Sequence, residues 1–152
     1  MAFVRVSGSG ATLDAAHLPF PRTSGATFTS GEVVAWNRAS NVIQDATSST
    51  DSQSANCYIG VICGATGVTG QLATEVDVSP FEKNQLWLAD CNANTAASQV
   101  GARCRLTDSL TLDNQADRTT SSDIFEIIKL VGAASDKKAI VRIIGGVGQV
   151  NA

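Results

Sequence analysis

Two neighbouring stretches with apolar residues at every second position constrain the fold of this chain most. Residues 86–90 (LWLAD) carry leucines on one face and Trp and Ala on the other, and residues 100–107 (VGARCRLT) alternate small apolar side chains with two arginines. A repeat of two is the side-chain period of a β-strand. The first stretch is apolar on both faces, so we expect both faces to be covered. The two stretches therefore predict a pair of strands, joined by a small polar loop, at the centre of a β domain.

Similar short runs recur along the chain and are separated by turn-forming residues. The strongest are 124–131 and 138–144, which a hairpin-length loop joins. No run has the period of a long helix. We therefore predict an all-β fold, a small barrel or sandwich. The residues predicted to form its core are Ile59, Val61, Val76, Val78, Leu86, Leu88, Phe125, Ile127, Val141 and Ile143.

The length of 152 residues is enough for one domain with its own core. We predict a β domain over 27–146, a flexible tail over 147–152 and an extended N-terminal arm over 1–26, where two prolines bracket Phe20. The arm is expected to lie on its own domain or on a neighbour, with a disordered tail as the alternative. The domain is expected to fold without it. The candidate contact residues are Phe3, Leu13, Leu18, Pro19, Phe20 and Pro21.

Charge and hydropathy patterns argue against two classes of partner. The chain has 11 basic and 14 acidic residues, and its basic residues are scattered, so we expect no nucleic-acid binding. No apolar run is long enough for a transmembrane helix, so we expect no membrane partner. The first residues lack the basic start and apolar run of a signal peptide, and we expect synthesis in the cytoplasm without export by that route.

No catalytic, cofactor or metal site is predicted. The single histidine, His17, lies in the arm, far from any candidate nucleophile. The three glycines in 64–70 are interpreted as turn residues and not as a phosphate-binding loop. Asp113, Asn114 and Asp117 are interpreted as a solvated loop and not as calcium ligands. Glu75 and Asp77 are interpreted as the outward side of a strand and not as a general acid/base pair. The four cysteines lack zinc-site spacing. They are expected to be reduced thiols, with a disulfide between Cys91 and Cys104 as the alternative.

Several short sequence segments, which we call strand phrases, follow one another in an order that resembles a known class of protein. The phrases are 27–36 (TFTSGEVVAW), 59–61 (IGV), 81–90 (FEKNQLWLAD), 100–106 (VGARCRL) and 136–144 (DKKAIVRII). Together they resemble the small capsid decoration, or cement, proteins of tailed bacteriophages. The four cysteines and the Pro19–Phe20–Pro21 motif are not part of that resemblance.

The resemblance implies a non-enzymatic structural protein that binds the outside of the assembled phage head and stabilises it. The implied partners are the major capsid protein and further copies of the chain in a homotrimer, and the implied location is the capsid exterior of the virion. The alternative is a carbohydrate- or receptor-binding β module of a phage tail or fibre. That alternative requires exposed aromatic side chains, for which Trp36, Tyr58 and Trp87 are the candidates. A hydrolase is a third, weaker alternative.

Overall fold

The computed structural model describes residues 3–7, 18–47, 50, 56–63, 74–115 and 123–144. These residues form an all-β structure of two antiparallel sheets, which confirms the predicted fold class. Within these ranges the only helical segments are two single 3₁₀ turns, Ala97–Gln99 and Ala134–Asp136. The predicted tail, 147–152, lies outside the described residues.

The larger sheet has six strands in the order β1-β7-β11-β10-β8-β9. Its centre is the pair predicted as the strongest hairpin, β10 and β11. The pair predicted for the centre, 86–90 with 100–107, is wrong, because β11 and β10 lie between these two strands. The strands are β1 (Phe3–Ser7), β7 (Leu86–Asp90), β8 (Arg103–Asp108), β9 (Thr111–Asp113), β10 (Phe125–Val131) and β11 (Lys138–Ile143).

The smaller sheet has five strands in the order β2-β6-β5-β3-β4. It curls so far that its two edge strands, β2 and β4, come into contact, and we call it the half-barrel. A ring contact between Phe20 on β2 and Trp36 on β3 spans its interior. The strands are β2 (Leu18–Pro21), β3 (Val33–Asn37), β4 (Val42–Asp45), β5 (Asn56–Ile62) and β6 (Glu75–Pro80).

The half-barrel has apolar residues on both faces, and these build two separate cores. Val33, Ala35 and Tyr58 on its convex face pack against the six-stranded sheet and form the main core. Val34, Val76 and Val78 point into the curl and form the half-barrel core. One strand can serve both cores because successive side chains alternate between its faces.

Two of the ten predicted core residues are wrong. Leu86 and Leu88 are only half-buried, whereas Trp87 and Ala89 between them are buried in the main core. The other eight are buried, as predicted. Trp87 faces inward because its polar group is satisfied there: its indole Nε1 donates to the Oε1 of Gln85 at 3.1 Å. A buried indole N–H needs such an acceptor.

Two parts of the predicted arm are strands of the sheets. β1 pairs with β7 at one edge of the six-stranded sheet, and β2 pairs with β6 at one edge of the half-barrel. Both stretches therefore lie on their own domain. Deleting residues 1–22 would remove both of these edge strands. The loss of two strands argues against the expectation that the chain from residue 27 folds on its own, which stays a prediction.

Phe125 joins the two sheets through its ring contacts. Its centroid lies 5.4 Å from that of Phe3 on β1, 5.7 Å from Tyr58 on β5 and 5.7 Å from Phe81 in the connection between the sheets. These are favourable tilted and edge-to-face distances for aromatic pairs. The main core is therefore centred on one side chain of β10.

We expect the substitution Phe125→Ala to lower the free energy of unfolding by about 3–5 kcal/mol, because it leaves a cavity where three rings meet. Ile128→Ala on the same strand is the control, since Ile128 is 37% exposed and its loss should cost little. Urea unfolding of both variants measures the difference. Equal effects of the two substitutions would contradict a core centred on Phe125.

Candidate interaction surfaces

Five of the six candidate contact residues lie in three different environments. Leu18 is 50% exposed, and Pro19 and Pro21 are also exposed. Phe20 is half-buried and makes an edge-to-face contact with Trp36 at 6.4 Å between ring centroids. Phe3 is buried in the main core, and Leu13 lies outside the described residues. The structure thus brings Leu18, Pro19 and Pro21 together at the surface, and it withdraws Phe3 from any contact with another protein.

The two prolines lie on the free side of β2. Arg22 donates its backbone N–H to the carbonyl of Thr74 at 2.8 Å, so the even-numbered residues of this segment carry the amides that face β6. Pro19 and Pro21 have no N–H and face away from β6. The free side of β2 therefore offers carbonyl acceptors but no amide donors. Edge prolines of this kind prevent further strand pairing.

This edge also explains why the half-barrel stays open. β2 and β4 lie in contact, but no strand ladder joins them in the described part of the chain. Closing the barrel would require amide donors from both edges, and β2 has none to offer on that side. Arg22 instead holds β2 against β6, because its buried guanidinium donates from Nε to the carbonyl of Glu75 at 2.9 Å.

Two carboxylates lie beside the prolines. Pro19 is opposite Asp77 and Pro21 is opposite Glu75 in the antiparallel ladder, so each pair shares the convex face of the half-barrel. Both carboxylates are half-buried. We call Leu18, Pro19, Pro21, Glu75 and Asp77 the β2–β6 ridge. Leu18 is opposite Val78 and projects from the other face of β2, so the ridge is an apolar and acidic surface that runs around the edge of the half-barrel.

A second surface is the outward face of the six-stranded sheet, which we call the outer face. Val4, Leu88 and Ile140 are consecutive partners across β1, β7 and β11 and form an apolar row at its centre. All three are half-buried. The two leucines of β7 that were wrongly predicted as core residues lie on this outer face. The prediction failed because apolar residues on both faces of β7 had suggested that both faces are covered. Within the protomer, only the face that carries Trp87 is covered by the second sheet.

Charged side chains surround the apolar row. Lys138 pairs with Asp90 at 2.5 Å, and Arg142 pairs with Glu126 at 2.7 Å. Both pairs are partly exposed, so each contributes little to folding stability. Five basic and four acidic residues lie on this face. They are Arg103, Arg105, Lys129, Lys138 and Arg142, and Asp90, Asp108, Asp113 and Glu126.

The three aromatic candidates for carbohydrate binding are mostly unavailable. Tyr58 and Trp87 are 2% and 3% exposed in the main core. Trp36 is half-buried and packs on the half-barrel core together with Phe20. An exposed aromatic platform is therefore not formed by these residues.

Asn114, considered above only as part of a solvated loop, is instead a buried anchor. Its Oδ1 accepts the backbone N–H of Ala93 at 3.2 Å, and its Nδ2 donates to the Oε1 of Gln99 at 3.1 Å. These bonds fix the loop between β7 and β8. Asn is common in exposed turns as well as in such anchors, so no sequence signal separates the two roles.

The remaining chemical candidates do not come together. In the described ranges, no group of three or more His, Cys, Asp or Glu side chains could hold a metal ion. His17, the glycines of 64–70 and Asp117 lie outside those ranges. No helix of the described residues is long and apolar enough to span a membrane.

A scan against models of known protein families found no match, and neither did a search of curated proteins. The function must therefore be argued from the two surfaces and from the resemblance of strand phrases.

The four cysteines are free thiols. Cys63 is the exposed one, and its backbone N–H donates to the carbonyl of Asp77 at 3.2 Å, which places it beside the ridge. Partial burial of the sulfur, together with the charge of Asp77, raises the pKa of Cys63 to about 11. The pKa of the buried Cys91 is raised to about 11 as well, mainly by burial.

We expect Cys63 to be the only thiol that reacts with a disulfide reagent in the folded protein, because the other three are buried. The reaction should be slow at pH 8 and accelerate as the pH approaches 11, since the thiolate is the reacting form. Asp77→Asn should speed it at a given pH by lowering the pKa of Cys63. Cys63→Ser should abolish it. Equally fast reaction of a second thiol in the folded protein would contradict this assignment.

Glu32 and Asp45 should give the half-barrel a pH dependence. Burial raises the pKa of both carboxyl groups, and each folded carboxyl therefore binds its proton more tightly than the unfolded one. Their contribution to stability is then favourable at low pH and is lost as the pH rises above the ordinary values of 4.5 and 3.8. The free energy of unfolding of the double variant Glu32→Gln, Asp45→Asn, minus that of the wild type, should increase from pH 3 to pH 7 when both are measured by urea unfolding. A decrease in this difference would show that the two carboxyl groups stabilise the fold when they are ionised, contrary to the prediction.

Proposed function

We propose that this protein is a capsid decoration (cement) protein of a tailed bacteriophage. It binds the outside of the assembled head through the major capsid protein, acts as a homotrimer, and stabilises the shell without catalysis. The observation that carries this proposal is the β2–β6 ridge. It is an exposed apolar strip on an edge strand that cannot accept a further strand, and it therefore favours adhesion through side chains.

The strand phrases that resemble decoration proteins fall on structural elements in a consistent way. The phrase at 27–36 leads into β3, the one at 81–90 ends in β7, and the one at 136–144 contains β11. β3 lies in the half-barrel, while β7 and β11 are neighbours in the six-stranded sheet. The resemblance thus covers both sheets of the fold, which supports the proposal.

A protein of this kind stabilises a shell by mass action. It binds the assembled state and not the free subunits, so every bound copy lowers the free energy of the assembled head. A symmetric trimer would contact several capsid subunits at once, which raises the effective affinity of each contact. Neither effect requires an active site or a cofactor.

The proposal is tested by adding the purified protein to phage heads that lack decoration. The wild type should co-sediment with the heads and raise the temperature at which they rupture. Leu18→Asp should weaken binding roughly ten- to hundredfold, because a leucine side chain contributes about 1.5–3 kcal/mol when it is buried in a contact.

The matched control is Leu110→Asp, which alters a leucine that is 37% exposed in the turn between β8 and β9. It should leave head binding unchanged. Failure of the wild-type protein to bind heads would overturn the proposed function. An equal loss of head binding in both variants would show that the β2–β6 ridge is not the surface that contacts the head.

A further inference from the structure

On the outer face, the neighbouring strands β7 and β11 carry different residues at the same three levels. The three cross-strand pairs that project outward are Asp90–Lys138, Leu88–Ile140 and Leu86–Arg142. The β7 column thus consists of an acid and two leucines, and the β11 column of a base, an isoleucine and a second base. All six side chains are partly exposed, so they are accessible to a neighbouring molecule.

The order of these residues decides which symmetry a second copy of the chain can use. A rotation axis parallel to the two strands keeps every residue at its own level, so the β7 column of one copy meets the β11 column of the next. Asp90 then faces Lys138 of the neighbouring copy, and Leu88 faces Ile140 of that copy. A twofold axis perpendicular to the strands would reverse the levels and place Lys138 against Arg142, which are like charges.

The six-stranded sheet is also rolled about the direction of its strands. Cys91, directly after β7, forms a parallel bridge with Leu112 on β9, although three strands lie between β7 and β9 in the sheet order. The backbone N–H of Asn92 donates to the carbonyl of Leu112 at 2.9 Å. The outer face is therefore convex. Two convex faces touch only along a narrow line, whereas three copies around one axis each use both flanks of the face.

We propose that three copies of this chain pack around an axis parallel to β7 and β11, with β7 of each copy on β11 of the next. This inference rests on the homotrimer of the proposed function and names the surface that forms it. The contact is heterologous, because two different columns meet, and it closes into a ring after three copies.

The ion pair between Asp90 and Lys138 extends around this axis. Within one copy, the Nζ of Lys138 donates to the Oδ1 of Asp90 at 2.5 Å, and the two side chains remain 41% and 33% exposed. An ammonium group has three donors and a carboxylate accepts at both oxygens. Each group can therefore bind its counterpart on a neighbour and keep its own partner. Three such pairs form a ring of alternating charges, which requires no net charge on the face.

The two levels next to the charged ring supply apolar contact. Leu88 and Ile140 are half-buried within one copy, and packing against each other between copies removes their remaining surface from water. At the third level, the aliphatic stem of Arg142 lies against Leu86 of the neighbour. Its Nη2 keeps its ion pair with Glu126 at 2.7 Å.

The test exchanges the two charges of the ring. Asp90→Lys alone and Lys138→Glu alone should each weaken trimer formation at least roughly tenfold in analytical ultracentrifugation, because like charges then meet between copies. The double variant Asp90→Lys, Lys138→Glu should form trimers again, since both signs are reversed. A double variant that is folded but does not recover association would contradict the contact.

Mixing the double variant with the wild type shows whether these charges meet between copies or only within one. Each protein keeps its internal ion pair, but a mixed trimer would place Asp90 against the introduced glutamate and Lys138 against the introduced lysine. Dilute, dissociated wild type and isotopically labelled double variant are combined, concentrated and measured by native mass spectrometry. Trimers of one kind of chain should predominate, and random mixing would overturn the inference.

The matched control is the double variant Arg38→Glu, Asp45→Lys. It exchanges one basic and one acidic side chain at two exposed positions of the smaller sheet and its β3–β4 turn. This control should form trimers with wild-type affinity and should mix with the wild type at random. Leu88→Ser probes the contact without altering a charge, and it should weaken association roughly tenfold. Circular dichroism and thermal melting of each variant verify folding.

Two results on association alone would also overturn the inference. One is a wild-type protein that is monomeric or only dimeric throughout the micromolar range. The other is a control variant that dissociates as much as the two single charge variants.

Head binding separates this inference from the proposed function. The contact leaves the β2–β6 ridge free, because β2 and β6 belong to the other sheet. A protein that decorates heads but mixes at random with the double variant would keep the proposed function and lose this trimer contact. A protein that sorts into separate trimers but does not bind heads would keep the contact and lose the function.

Discussion

The packing of Phe125 against rings from the other sheet and from the connecting segment is the interaction on which the rest of the structure depends. The chain has only eight aromatic residues, and five of them meet in the main core, where Phe3, Tyr58 and Phe81 surround Phe125 and Trp87 contacts Phe81. Small side chains fill most of the remaining interior. Because alanines and valines bury little area each, a few rings supply much of the apolar contact between the sheets.

In the described part of the chain, no third layer covers the outward surfaces of the two sheets. In the six-stranded sheet, a strand with apolar residues on both sides finds cover for only one of them within the protomer. In the half-barrel, the convex face is covered where it meets the main core and uncovered at β2 and β6. The β2–β6 ridge and the outer face are thus the places where the two-layer architecture of the described residues ends.

The all-β class and eight of the ten core positions followed from period-two runs, because alternation is a local property of the sequence. The orientation of β7 did not follow, since both of its faces are apolar and the buried acceptor that Gln85 offers to the indole of Trp87 is visible only in the fold. The placement of 3–7 and 18–21 in the sheets also depends on pairing with strands far along the chain. Gly60 is a third case: a Cβ there would lie 2.1 Å from the carbonyl oxygen of Ser79 on β6, a constraint visible only once the two strands are side by side.

The edge position of β2 has a consequence for the order in which the fold comes apart. β2 has four residues and pairs only with β6, so few amides tie it to the sheet, and the buried guanidinium of Arg22 supplements them. Elements held by few protected hydrogen bonds open first in native-state fluctuations. β2 is therefore expected to open locally at a low free energy. When it detaches, Phe20 leaves Trp36 and the half-barrel core meets water, while the ring cluster around Phe125 stays closed.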